Sequence, residues 1–253
     1  MSTPDVGNSP LGRTPVAPTP AGWAWALLAV VAPTLIAAHD PPSVTFYNQA
    51  LAVLGEEFGL PAGENVMDRL VKALKLMGVE EVYDTDFAAD MTTISESQEF
   101  LERLKAGGPF PMFTSCCPAW SVMAKKLFPE FKDCISMALT PMVITARMVK
   151  KDHPDARICF IGPCAAKKLE AMRTDIRSDV DFVLTFEEMD GIFDARHVDV
   201  EKIEEDPEGV NDASMDGRNF AVAGGVAKSV VDVIHERYPD KEIKVANAEG
   251  LKE

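Results

Sequence analysis

The residues best placed to do chemistry are five cysteines, Cys116, Cys117, Cys134, Cys159 and Cys164, gathered in the middle of the chain. Their number is odd and two are vicinal, a spacing that poorly satisfies disulfide torsions. Reduced thiols are the expectation, and with them a reducing, cytoplasmic compartment. In Phe113-Thr-Ser-Cys-Cys-Pro-Ala-Trp120 a strand should end, two thiols follow, and Pro118 takes a first helical position. A thiolate there is stabilised by free amides and the helix dipole. Phe160-Ile-Gly-Pro-Cys-Ala-Ala-Lys-Lys168 repeats the plan, with Pro163 beside Cys164. Two such turns at one end of a sheet converge on a crevice. Thiolates meeting there beside lysines suit a soft metal or an iron–sulfur centre. Two buried, inert cysteines are the rival reading.

The elements that must position these thiols follow from patterning. The 253 residues are 47 % hydrophobic and 26 % charged, an ordinary globular balance. A formal net charge of −15 argues against nucleic acid and against an anionic membrane surface as partners. Residues 1–22 read as a disordered Pro/Thr/Gly/Ser leader, with 23–253 as the folded domain. Trp23 to Ala38 is apolar but short for a spanning helix and is interrupted by Pro33. A buried strand over Trp25–Ala32 is expected there, with a secretory signal and periplasmic export as the alternative. Helices are predicted over Glu64–Met77, Ile94–Lys105, Ala119–Phe128, Pro141–Lys151, from Glu187 to Phe193, and over Val226–Arg237. Strands are predicted at Glu81–Thr85, Pro111–Thr114, Arg157–Ile161, Phe182–Thr185 and Ile243–Ala246. Val200 to Gly217 reads as an acidic loop. The alternation predicts an α/β protein with largely covered sheets.

The two cysteine segments resemble the first and second signatures of the iron-only ([FeFe]) hydrogenases, Thr-Ser-Cys-Cys-Pro-Gly-Trp and Pro-Cys-x-x-Lys. Gly55-Glu-Glu-Phe-Gly59, Val82-Tyr-Asp-Thr-Asp-Phe-Ala-Ala-Asp90, Pro109 to Thr114 and Gly224-Gly-Val226 extend the resemblance from near Ala50 to the end. It implies a two-lobed α/β catalytic domain with mixed or parallel sheets flanked by helices. It implies an H-cluster as cofactor: a four-iron four-sulfur cluster joined to a di-iron subcluster. By position, Cys117 and Cys164 would each bind one iron of the cube. Cys116 would be the free thiol beside the di-iron unit, and its ordinary pKa near 8.5 would let it pass protons. Lys167 would donate to a cyanide, with Pro163 and Thr140 lining the same pocket. Glu96 and Glu99, three apart and so on one helix face, match the family's proton-relay carboxylates, and Ser136 its relay hydroxyl. Without the resemblance, the two glutamates read as a solvated acidic face.

The same resemblance implies reversible proton reduction and dihydrogen oxidation, with electrons from a ferredoxin or a partner subunit and cluster insertion by hydrogenase maturation proteins. Ala119 departs from the usual Gly, and Gly162 stands where typical members have Met before Pro-Cys. Those departures favour a dihydrogen-sensing relative as the rival. A hydrogenase-like iron–sulfur assembly protein is a second rival, and a fragment that binds no metal a third. The family's third cysteine signature has no match here, and Cys134 and Cys159 read as core residues. The expectation is therefore a C-terminally truncated domain with an incomplete second lobe and two of four cube ligands, which alone assembles no intact H-cluster.

Overall fold

A computed structural model of the chain describes residues 43–47, 67–114, 116–204, 213–220 and 224–245. The leader, the apolar run and the expected strand at Trp25–Ala32 lie outside the described residues. Four parallel strands form the sheet: β1 (Ser43–Tyr47), β2 (Glu81–Asp84), β3 (Arg157–Gly162) and β4 (Phe182–Thr185), in the order β2-β1-β3-β4. The fold is α/β, as the alternation predicts, and among the described residues every strand pairing in the sheet is parallel.

The middle strand β1 is one that hydrophobic patterning overlooked. Ser-Val-Thr-Phe-Tyr is β-branched and aromatic, a strand composition. Its register ties Val44 to both Glu81 and Ile158.

The rest of β3 shows why both faces must be covered. Cys159 and Ile161 point into one core with Leu70, Leu74, Val82, Leu184 and Phe193. Ile158 and Phe160 point into the other with Met142, Val143, Ala146 and Val149. A parallel strand buried on both faces reads as a continuous apolar run, and Ile158 to Ile161 is one. The first face is covered by α1 (Met67–Leu76) and α6 (Phe186–Ala195), the second by α4 (Pro141–Asp152).

Helix α2 (Asp86–Ala106) begins two turns before the predicted Ile94. Its buried stripe is Asp86, Ala88, Ala89, Thr92, Thr93, Glu96 and Ser97, mostly polar or small. Apolar periodicity is silent over such a stripe. Its end is ordinary: Gly107 takes φ 82° and donates to Arg103 O. Helices α3 (Pro118–Leu127) and α4 both start on proline. The short α5 (Ala166–Ala171) follows β3.

Three further expectations are corrected. Pro111–Thr114 forms no strand, only a parallel bridge between Phe113 and Ile135. The stretch Val200–Gly217 is not all loop: a 3₁₀ turn spans Val200–Lys202, and α7 (Met215–Asn219) is capped by Ser214, which accepts from Asp216 and Gly217 amides. Residues Ile243–Val245 lie in no strand among the described residues, and line an apolar groove with Phe100, Leu104 and Ile234 instead. The last helix, α8 (Gly225–Arg237), packs on α2 and α7. Gly225 is needed at that junction, since a Cβ there would meet Asn219 O at 1.9 Å. Among the described residues no helix is long and apolar enough to cross a membrane.

Candidate functional site

The strand order places a topological switch point between β1 and β3, because the chain runs from β1 to β2 on one side and then crosses to β3 on the other. In open parallel sheets the crevice outside the carboxyl ends at such a point is the usual ligand site. Gly162 ends β3 there, and Pro163 and Cys164 follow at once, both exposed. The Ala166 amide donates to Cys164 Sγ at 3.4 Å.

The other cysteine turn arrives differently from the expectation. Cys116 and Cys117 do not follow a strand of the sheet. They follow the segment ending at Phe113, which is clamped to the stretch after the Pro129–Cys134 turn. Phe113 N donates to Cys134 O at 2.9 Å, and Ser136 N to Phe113 O at 2.7 Å. Phe113 also meets the rings of Trp120 and Phe131, at 5.8 and 6.0 Å between centroids. Cys117 is the exposed N-cap of α3, with Pro118 next. The two turns are joined by Lys167, whose Nζ donates to Cys116 O at 3.0 Å, and α3 packs against α5.

All five cysteines are free thiols. Cys134 and Cys159 are buried, in keeping with core roles, and burial pushes the Cys159 thiol up to about 12. Cys116 is half-buried. Burial first, then the Glu96 carboxylate, push its pKa up to about 11, with Lys167 opposing. Its proton is therefore held more tightly than the ordinary value near 8.5 implies.

The relay candidates fall into one neighbourhood. Glu96 is fully buried on α2 and close enough to Cys116 to raise that thiol. One turn on, Glu99 Oε2 accepts from Ser136 Oγ at 2.8 Å and from Met137 N at 3.1 Å. Arg103 pairs with Glu99 Oε1 and donates to the carbonyls of Cys134 and Ile135 at 3.0 and 3.2 Å. The guanidinium thus fixes Glu99 and the backbone that presents Ser136. Neither glutamate belongs to a solvated acidic face.

Thr140 caps the start of α4 by position, yet its side chain makes no cap bond. Its Oγ1 donates to Glu170 Oε1 at 2.7 Å. Glu170 is 2 % exposed and also receives Lys167 Nζ at Oε2, 2.8 Å. Patterning gave no sign of Glu170. The available signal was its place three residues after Lys167, where helical spacing pairs opposite charges.

Among the described residues no three His, Cys, Asp or Glu side chains converge on a metal position. The donor chemistry nevertheless fits an iron–sulfur group. Two exposed thiols flank the crevice, one already receives an amide N–H, and an ammonium stands between the turns.

A family model described as the iron only hydrogenase large subunit, C-terminal domain, matches residues 44–253. The chain is 33 % identical over 195 residues to iron hydrogenase 1 of Clostridium pasteurianum, covering 71 % of this chain and 34 % of that protein. It is 32 % identical over 208 residues to the periplasmic [Fe] hydrogenase large subunit of Nitratidesulfovibrio vulgaris, covering 75 % of this chain and 49 % of that one. The chain thus spans half or less of the length of these relatives. A variant of [FeFe]-hydrogenase HydA1 from Chlamydomonas reinhardtii superposes with a TM-score of 0.67 at 28 % identity, over 82 % of this chain and 57 % of that one. Relatives also include a probable cytosolic Fe-S cluster assembly factor of Aedes aegypti, 33 % identical over 147 residues, or 54 % of this chain and 30 % of that one.

Proposed function

Because this chain belongs to the family formed by the C-terminal domain of iron-only hydrogenase large subunits, we propose that it serves the reversible conversion of protons and electrons to dihydrogen. The observation that carries the reading is the line Cys116, Glu96, Glu99, Ser136. It is a half-buried thiol electrostatically coupled to a buried carboxylate, one helical turn from a carboxylate hydrogen-bonded to a hydroxyl. A protein that only held iron and sulfur would have no use for such a line.

Cys117 and Cys164 would hold the cube of an H-cluster, and Lys167 would face its anionic ligands. When bound, the group supplies the electron transfer and the site of hydrogen chemistry. The chain's own residues handle the proton. Cys116 keeps its proton at neutral pH and so stands ready as a donor. Glu96, shielded from water, takes a proton from one side and passes it to the other. Glu99 and Ser136 receive it, both groups being able to accept and donate. Arg103 keeps Glu99 aimed at Ser136 throughout. Electrons are proposed to come from a ferredoxin or an electron-transfer subunit.

A second reading, iron–sulfur cluster assembly, is favoured by the assembly-factor relative and by the exposure of both candidate ligands. Anaerobic expression of the complete coding sequence with hydrogenase maturation proteins separates the two. Infrared bands of bound cyanide and carbon monoxide, with hydrogen evolution from a reduced dye, are expected. A protein that takes up iron and sulfide but shows no such bands would establish the assembly reading instead.

A further inference from the structure

We propose that Glu170 is a positioning residue that pins the ammonium of Lys167 and, through it, the turn carrying Cys116. Glu170 is 2 % exposed, and both of its oxygens are engaged by side chains of different elements. Oε2 receives Lys167 Nζ at 2.8 Å from within α5. Oε1 receives Thr140 Oγ1 at 2.7 Å from the N-cap of α4. Thr140 occupies an N-cap, where a threonine oxygen ordinarily accepts an amide of its own helix. It forgoes that bond and donates to a buried anion, which gives a charge-assisted bond in a dry site.

The consequence falls on Lys167. Lysine is a flexible four-carbon arm with three donors. One donor is given to Glu170 and one to Cys116 O at 3.0 Å. Two fixed bonds leave the ammonium one N–H and one direction, at the place where both cysteine turns meet. Thr140 acts on this N–H at one remove, by steadying the carboxylate. That the third N–H meets an anionic cluster ligand rests on the function proposed above. The pinning itself does not.

The test uses the complete protein expressed without maturation proteins, with and without E170Q and E170A. Lys167 methylation and Cys116 alkylation by iodoacetamide are followed by mass spectrometry, with exposed Cys117 and buried Cys134 as internal standards. E170A is expected to speed both reactions on the order of tenfold while Cys134 stays protected. E170Q keeps an acceptor but loses the charge, so a smaller increase is expected. Unchanged Lys167 and Cys116 rates in E170A would overturn the proposal. If E170A loosens the whole fold, with Cys134 reacting like Cys117, E170Q decides: protected Cys134 with an unchanged Lys167 rate also overturns it. In matured protein E170Q should shift the cyanide bands. Missing bands in the wild type would count against the hydrogenase reading alone, whereas bands that ignore E170Q would count against Glu170.

Discussion

Ser136 and Glu99 lie on different elements, 37 residues apart, yet Ser136 Oγ sits 2.8 Å from Glu99 Oε2 and donates to it. The contact exists because two backbone bonds fasten Phe113 to Cys134 and Ser136, and Arg103 fastens the same stretch to α2. Ser136→Ala removes the hydroxyl proposed to carry the proton at that point without opening a large cavity. In matured protein, hydrogen evolution is expected to fall by roughly a hundredfold. The thermal midpoint should barely move, and the solvent isotope effect should rise. Unaltered turnover would remove Ser136 from the path.

Asp86 at the start of α2 offers a pH signature of stability. Burial, then the neighbouring Asp84 charge, raise its pKa from 3.8 to about 8, while Arg218 lowers it and Asp90 adds to the rise. A carboxyl whose folded pKa exceeds its unfolded one binds its proton more tightly when folded. Stability from this group is full below about pH 4 and is lost as pH climbs towards 8. Asp86→Asn should therefore stabilise the protein more at pH 8 than at pH 5, by about 1 kcal/mol or more. Denaturant midpoints across that range measure it, and a gap that does not widen with pH would refute the assignment.

Gly162 and Phe160 are two residues apart on one face of β3. A Cβ at Gly162 would lie 2.5 Å from Phe160 Cε1 and 2.8 Å from Cζ. The phenyl ring occupies the space that a side chain at 162 would need. Gly162→Ala should cost about 1–3 kcal/mol through overpacking. Combining it with Phe160→Leu should recover part of that loss, giving a coupling of at least about 0.5 kcal/mol in a double-mutant cycle. Strict additivity would show that the ring is not the obstacle. The typical family's Met at this place would meet the same ring, so Gly162 and Phe160 are best understood as a pair.

Helix α6 begins with a capping box: the Glu188 amide donates to Thr185 Oγ1, and the Thr185 amide to Glu188 Oε2. Lys168 pairs with Glu188 as well, which links the box to α5. Thr185→Ala should lower stability by about 1 kcal/mol. Urea titration at constant slope checks it, and Thr185→Ser should return most of the loss.

The sequence was most legible where apolar spacing or a special residue speaks. Leu70, Val71 and Leu74 mark α1, prolines 118 and 141 open α3 and α4, and Ile158 to Ile161 declare a doubly buried strand. It was least legible where polar groups are buried. The first turns of α2 bury Asp86, Thr92 and Thr93, so no apolar period announces them. Strand β1 was lost because Ser43–Tyr47 is short and follows two prolines. The cysteines stood out by their clustering, whereas the roles assigned to them, to Lys167 and to the relay residues came from motif resemblance, since spacing alone left Glu96 and Glu99 on a solvated face. Glu170 went unseen because its value comes from Thr140, thirty residues earlier, and no local pattern encodes that meeting.

The register of β1 carries a last consequence, for the time course of synthesis. β1 pairs with β3 on the order of a hundred residues later, and such distant closures are slow. Glu96, Glu99, Cys116, Cys117, Ser136 and Thr140 all lie on the excursion between those strands. On the ribosome, the sheet cannot close until β3 has emerged, so these residues are gathered into their shared neighbourhood late. Cys164 and Lys167 leave the tunnel immediately behind β3. Nascent chains arrested before and after that point should therefore differ sharply in protease resistance, with the crevice completed in the same event that seals the sheet.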